Sequence, residues 1–395
     1  MKTAKQSLWA FCTTVGVLSL SSGCSQPASH NAAPDAASWS PQAAAVYLDQ
    51  RESEWEAWPV AARDHGTFCV SCHTAMPYAL SRPALRAELG QERLSVDESE
   101  LLENVTKRVR LWKDVGPYYG GNVLKKAQSR GSEAVLNALI LASYDAQNEK
   151  LSPDTRLAFD NMWALQEISG AGKGSWPWLQ FNLEPWEGRY SRYYGAALAA
   201  VAVGTAPQSY RLAPEIQHNL KLLQDYLNRA YSSQPVVNRV ALLYADAKMP
   251  GLIEPERRAS IIKEVLGKQQ TDGGWSLSSL VVATELDWVK GQWKRAEGIR
   301  STKSDGYATG FVAFALEQAG MPNEDIHLQS ALSWLTRNQK GSDGSWQASS
   351  VNESFALNST VGHFMSDAAT AYAVLALTKQ SANRPQSVVA IRRPQ

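Results

Sequence analysis

The chain has 395 residues, of which 44% are hydrophobic and only 19% charged, a balance that supports one or two buried cores and excludes a disordered polymer. Lys and Arg number 39 against 38 for Asp and Glu, so the formal net charge is +1 and no basic field exists to attract nucleic acid.

Residues 1–23 begin with Lys2 and Lys5, continue through an apolar stretch from Leu8 to Leu20 and end on Ser21, Ser22 and Gly23. Thr13, Thr14, Gly16 and Ser19 dilute the stretch, so it predicts a cleavable export signal and not a membrane span. No later segment approaches ~18 uninterrupted apolar residues. Small residues directly before Cys24 resemble the lipobox of bacterial lipoproteins, with Ser21 standing where that box has a large aliphatic residue. The resemblance implies a lipid on Cys24, a membrane anchor, and a periplasmic or outer-membrane location in a Gram-negative-type cell; ordinary cleavage with a free Cys24 is the alternative. Residues 24–41, rich in Ala, Ser, Pro and Asn, then predict a flexible tether.

Residues 42–130 carry the sharpest chemical signal. Apolar spacings of three and four predict helices over Gln42–Trp58 and Glu98–Lys113, and between them lies Cys69-Val70-Ser71-Cys72-His73. Two thiols three positions apart, followed at once by an imidazole, suit thioether attachment of a c-type haem, with His73 as the proximal iron ligand. A thioredoxin-like dithiol, a zinc site from His65, Cys69, Cys72 and His73, and a local disulfide are the competing readings. Four cysteines support the haem reading arithmetically: Cys12 leaves with the signal, Cys24 takes a lipid, and Cys69 and Cys72 take haem, leaving no free thiol outside the cell. A sixth iron ligand must approach from the opposite face, which disfavours Met76 and His65; His363 or Met365 is the distal candidate, with Met162, Met249 and His218 behind them and an open position also allowed. Helix, motif and later helix together resemble a minimal cytochrome c module, closed by the turn at Tyr118-Tyr119-Gly120-Gly121.

Residues 131–380 read as a series of helices with internal repeats. Trp334 to Gln339 is followed by Asp343-Gly344-Ser345-Trp346, Leu266 to Gln270 by Asp272-Gly273-Gly274-Trp275, and Trp163 to Gln166 by Gly174-Ser175-Trp176. Small-residue helices follow, at Thr309–Leu316 and Thr370–Leu377, with looser copies at Tyr193–Val203 and Val237–Ala247. Ala-rich faces let helices approach closely, so the alternation predicts an all-α barrel with inner and outer helical rings. These segments resemble the QW repeats of the terpenoid cyclase and protein prenyltransferase α/α toroids, squalene-hopene cyclases above all. The resemblance implies a structural role for the repeat Gln and Trp residues. It also implies an Asp-rich proton-donor motif, which this chain lacks: Ser366-Asp367-Ala368-Ala369-Thr370-Ala371 keeps Thr-Ala but not the central acids, and Asp305-Gly306-Tyr307-Ala308-Thr309-Gly310 keeps one acid. Asp305 and Asp367 are therefore the acids left for any catalytic role.

The aromatic run Trp176, Trp178, Phe181, Trp186, Tyr190, Tyr193 and Tyr194, interspersed with Glu184 and Glu187, predicts core packing or the wall of an apolar cavity. Ser276–Ser304 reads as an inserted surface loop and residues 381–395 as a flexible tail. The sequence as a whole predicts an exported, lipid-anchored protein with one covalent haem c and a redox role: it passes electrons to a partner protein or oxidises a lipophilic, isoprenoid-like molecule in the toroid. A toroid that binds lipid or protein, with haem as relay or sensor, and a divergent cyclase or isomerase are the alternatives.

Overall fold

The structure is a computed structural model describing residues 38–146, 150–281, 301–356 and 358–383. Its helices divide by how much of their circumference is apolar. Ser191–Thr205, Val236–Lys248 and Gly306–Gln318 are small or apolar on nearly every face and bury almost every residue, as a helix without a polar face must. Pro214–Ala230 is one-sided instead, burying Ile216, Leu222, Leu223, Tyr226 and Leu227 and leaving the rest to solvent.

Among the described residues the buried helices touch in cyclic order. Val123–Asp145 packs on Ser191–Thr205, that on Val236–Lys248, then Gly306–Gln318, then Thr360–Asn383, and Ala75–Glu88 returns the chain to Val123–Asp145. Outside them lie Pro41–Glu56, Val96–Arg110, Pro153–Trp163, Pro214–Ala230, Pro255–Leu266 and Ile326–Asn338. These contacts are compatible with the expected α/α toroid, and one antiparallel ribbon, Ala62–Arg63 against Thr67–Phe68, accompanies the helices among the described residues. No helix among the described residues is long and apolar enough to cross a membrane.

The expected boundary at residue 131 is corrected by this closure. Pro41–Glu56 packs on Thr360–Asn383, and Ala75–Glu88 sits between that helix and Val123–Asp145, so the segment expected to form a separate cytochrome c-like module supplies part of the ring. The described residues all belong to one compact unit. The expected tether also ends earlier than residue 41: Trp39 packs on Trp346 with ring centroids 6.0 Å apart, and Ser40 caps Pro41–Glu56 by accepting from the Ala43 N–H. Of the expected insertion, residues 282–300 lie outside the described residues, as do 1–37, with Cys24 and the signal, and 384–395 of the tail.

The repeats act as joints. Trp176, Trp275 and Trp346 each donate an indole N–H to a backbone carbonyl of the preceding outer helix, at Met162, Val265 and Leu335, over 2.6 to 2.8 Å. Gln166, Gln269 and Gln339 each donate from Nε2 to the carbonyl of the following turn glycine and to a second carbonyl on the next outer element: Asn219, His327 and Ser40. The third copy closes the ring, because Gln339 Oε1 also accepts from the Ser40 N–H at 2.6 Å. Replacing Gln339 by Ala is expected to lower stability by about 1–2 kcal/mol, since two hydrogen bonds at the seam go; urea unfolding of the variant against wild type checks it.

Inner helices approach closely at Gly310, where a Cβ would stand 2.7 Å from the Ala373 nitrogen. Tyr194 and Tyr372, on helices that are not neighbours in the ring, bring their hydroxyls to 3.5 Å, and Tyr307 and Phe311 pack on Tyr372 at 5.7 and 4.7 Å. All four side chains are buried, so this aromatic cluster packs between inner helices.

Candidate functional site: a cavity beside Cys69, Cys72 and His73

One cavity lies beside the Cys-Val-Ser-Cys-His segment. It holds about 1320 Å³ counted to its open mouth and is lined by Cys69, Cys72 and His73, by the indoles of Trp55, Trp58, Trp178 and Trp186, and by Glu184, Glu187 and Met365. Its enclosed part, about 280 Å³, lies at the lower end of the roughly 300 to 1,000 Å³ of small-molecule sites, and the remainder opens to solvent.

Local folding explains why three consecutive chemical groups share one wall. His65 and Gly66, at φ 58° and 62°, turn the ribbon back on itself and deliver the chain to Cys69, whose carbonyl accepts from Trp55 Nε1 at 2.7 Å. Ser71 then begins the next helix. Its Oγ accepts from the Thr74 and Ala75 N–H groups at 3.2 and 3.0 Å, doing for Ala75–Glu88 what an N-cap side chain does. Pro77 is tolerated because it falls in the first turn, where backbone N–H groups have no intrahelical partner.

His73 is held on several sides. Its ring stacks on Phe364 at 3.7 Å and meets the edge of Trp55 at 5.0 Å. Its Nδ1 lies 2.9 Å from Thr74 Oγ1, and that hydroxyl donates to Asp367 Oδ2 at 2.8 Å. Asp367 Oδ1 accepts from Tyr47 Oη and Arg51 Nε, both at 2.9 Å. Burial, reinforced by the nearby Arg51 charge, holds the imidazole down at about 3, so it is neutral at physiological pH. Burial pushes Asp367 up, outweighing the pull of the Arg51 guanidinium.

The two thiols are neutral as well. Burial pushes Cys69 up to about 12 and raises Cys72 above the ordinary thiol range, the reverse of the lowered thiol of a dithiol oxidoreductase. Among the described residues no three His, Cys, Asp or Glu side chains gather as a bare metal ion requires, so the zinc set with His65 is not assembled.

Facing them, burial holds the Glu187 carboxyl up at about 7, with Lys125 pulling slightly downward. The folded chain therefore keeps a proton that the unfolded chain, with Glu near ~4.3, has lost between roughly pH 4.5 and 7, and Glu187 costs stability as pH rises through that window. Glu187→Gln should match wild type at pH 4 and exceed it by about 2–3 kcal/mol at pH 8; denaturation at both pH values measures the difference.

The remaining expected residues separate. Met365 lines the cavity, whereas His363, two positions earlier, does not. Met162 is in the core and His218 is exposed on an outer helix. Asp305 caps Gly306–Gln318, accepting from the Ala308 and Leu277 N–H groups at 2.9 and 2.6 Å, and burial raises it to about 6. In the fold it is a helix cap. Asp367 accepts from Arg51, Tyr47 and Thr74. Spacing along the chain did not reveal this network, because Thr74 and Asp367 stand 293 positions apart.

No family model and no curated protein matches the sequence. A solved structure named Polysaccharide Lyase BACCELL_00875 matches with a TM-score of 0.50 and 12% identity, over 88% of this chain and 99% of that one. The likeness is one of fold. It overturns the expectation of a redox protein working on an isoprenoid-like molecule in a cyclase toroid, because the matched structure is named a polysaccharide lyase. The lipid-binding toroid and the divergent cyclase fall with it. What the comparisons support is a predominantly helical chain compatible with the α/α toroid of that structure.

Proposed function

We propose that the protein is a cofactor-holding protein whose site is the cavity beside Cys69, Cys72 and His73, and that the group held there is one covalent haem c. The observation that carries this reading is that both thiols and the imidazole line a single aromatic-walled cavity. Neither electron transfer nor a lipophilic substrate is part of it.

The donor set fits the group. Each thiol S–H adds across one vinyl C=C, sulfur bonding to one carbon and hydrogen to the other, so two thioethers form with no oxidant or reductant. Thioethers are uncharged, which suits positions where burial already keeps sulfur neutral. His73, neutral and with Nδ1 engaged by Thr74, would hold the iron through its other nitrogen. Bound iron would supply a Lewis-acidic centre. Trp55, Trp58 and Phe364 would shield the ligand side from water, and Met365, also on the wall, would be available as a second iron ligand. Attachment of this kind belongs outside the cytoplasm, and the export signal with a lipid on Cys24 is proposed alongside it.

Co-expression of the full chain with a haem-attachment system should yield coloured protein whose Cys69–Cys72 peptide carries one haem by mass. The Cys69→Ala/Cys72→Ala double variant should carry none. A colourless wild-type protein with both thiols open to alkylation overturns the proposal.

A second reading is favoured by Glu187. A carboxyl held near neutrality beside indole walls is an arrangement that also suits a carbohydrate, the class named in the matched structure. Calorimetric titration of acidic and neutral oligosaccharides into the Cys69→Ala/Cys72→Ala protein tests it, and heatless titrations at millimolar sugar reject it.

A further inference from the structure

The polar chain behind His73 crosses from the segment that bears the cysteines to the helix that carries Asp367. Thr74 has one hydroxyl hydrogen, and the 2.8 Å contact with Asp367 Oδ2 uses it, because a carboxylate can only accept. Thr74 Oγ1 is then left to accept, and the group it accepts from is His73 Nδ1, 2.9 Å away. Asp367 cannot turn aside, since Arg51 and Tyr47 hold its other oxygen at 2.9 Å each. Arg51 is pinned in turn: Nη1 pairs with Glu54, and Nη2 reaches Asp367 Oδ2 at 3.3 Å and the Thr360 carbonyl at 3.4 Å. Every polar atom of the relay from His73 Nδ1 to Arg51 Nε therefore has a role fixed by its neighbour.

We infer that Thr74 and Asp367 are positioning residues that lock His73 in the Nδ1–H tautomer, so that Nε2 carries the lone pair available to iron. The inference rests on the haem reading for the identity of the ligand Nε2 meets, but the tautomer is a property of the polypeptide. A hydrogen-bonded second group that fixes ring orientation and raises donor strength is a common feature of metal-bound histidine. Here that group is Thr74, whose hydroxyl is oriented by Asp367 on Thr360–Asn383, so the orientation of His73 depends on how the first and last described helices pack.

Nitrogen-15 NMR of the ring in the full-length Cys69→Ala/Cys72→Ala protein, which has no thioether haem, reads the tautomer directly. The expected result is a proton on Nδ1 of His73. Thr74→Val, close in shape but without a hydroxyl, should shift the ring mostly to the Nε2–H form, and Thr74→Ser should restore Nδ1–H. A proton on Nε2 in the parent, or no change in Thr74→Val, overturns the inference. In the haem-loaded chain Thr74→Val should lower the iron–imidazole stretching frequency while the haem mass on the cysteine peptide stays unchanged. A wild-type chain that takes up no haem counts against the cofactor reading alone, because the ring resonances decide the relay separately.

Discussion

Arg51→Met is expected to destabilise the protein by about 3–5 kcal/mol, the range found when one member of a buried ion pair is removed. Arg51 and Asp367 have side chains only 4% and 1% exposed, so the carboxylate left behind has no water to solvate it. Tyr47 and Thr74 would still donate to it, which keeps the loss within that range rather than above it. The double variant Arg51→Met/Asp367→Leu removes both charges together and should recover a large part of the loss, since well-packed apolar replacements for a buried pair are often neutral or better. Equilibrium unfolding in guanidinium of the two variants and wild type measures both numbers. A double variant as unstable as the single one would show that the pair is worth more than its desolvation cost.

Trp346→Ala is expected to cost about 3–5 kcal/mol by removing a large, fully buried side chain from a site where four elements meet. Its indole N–H donates to Leu335, its backbone N–H donates to Thr370 Oγ1 at 3.1 Å, and Trp39 packs on its ring. The neighbours are helix backbones held elsewhere, so the space cannot collapse fully and a cavity term adds to the lost transfer energy. Trp334→Ala should cost less, because that indole is less deeply placed, although it would release Asp272 from a 3.0 Å hydrogen bond. Thermal unfolding followed by circular dichroism ranks the two; the reverse order would mean that the repeat tryptophans act mainly through their surface partners.

The polar relay and the repeat joints bear on the same seam. Gln339 and Trp346 hold Ser40 and Trp39 against the end of the ring, and Arg51, eleven positions on from Ser40, reaches Asp367 from the same outer helix. Weakening the seam at Gln339 should therefore loosen the support behind His73 without touching the ring itself.

Much of this architecture was legible along the chain because it depends on local periodicity. Helices at Thr309–Leu316 and Thr370–Leu377 are apolar on all faces and have no stable place except a core, and the Asp-Gly turns before Trp275 and Trp346 announce where outer helices stop. The gathering of Cys69, Cys72 and His73 on one wall was legible for the same reason, since residues within one turn cannot be far apart. Ring closure was not. Ala75–Glu88 contains Pro77 and Pro83, which mask its helical pattern, and it joins two helices that begin 48 and 285 positions after its own first residue. Nor could any spacing show that Asp367, which reads as a displaced catalytic acid, faces Arg51, Tyr47 and Thr74. That partnership, the cluster of Tyr194, Tyr307, Phe311 and Tyr372 and the position of the cavity follow from packing between distant segments. Their cause is that a buried carboxylate must find donors and a buried lumen must find side chains, and only the folded chain decides which ones.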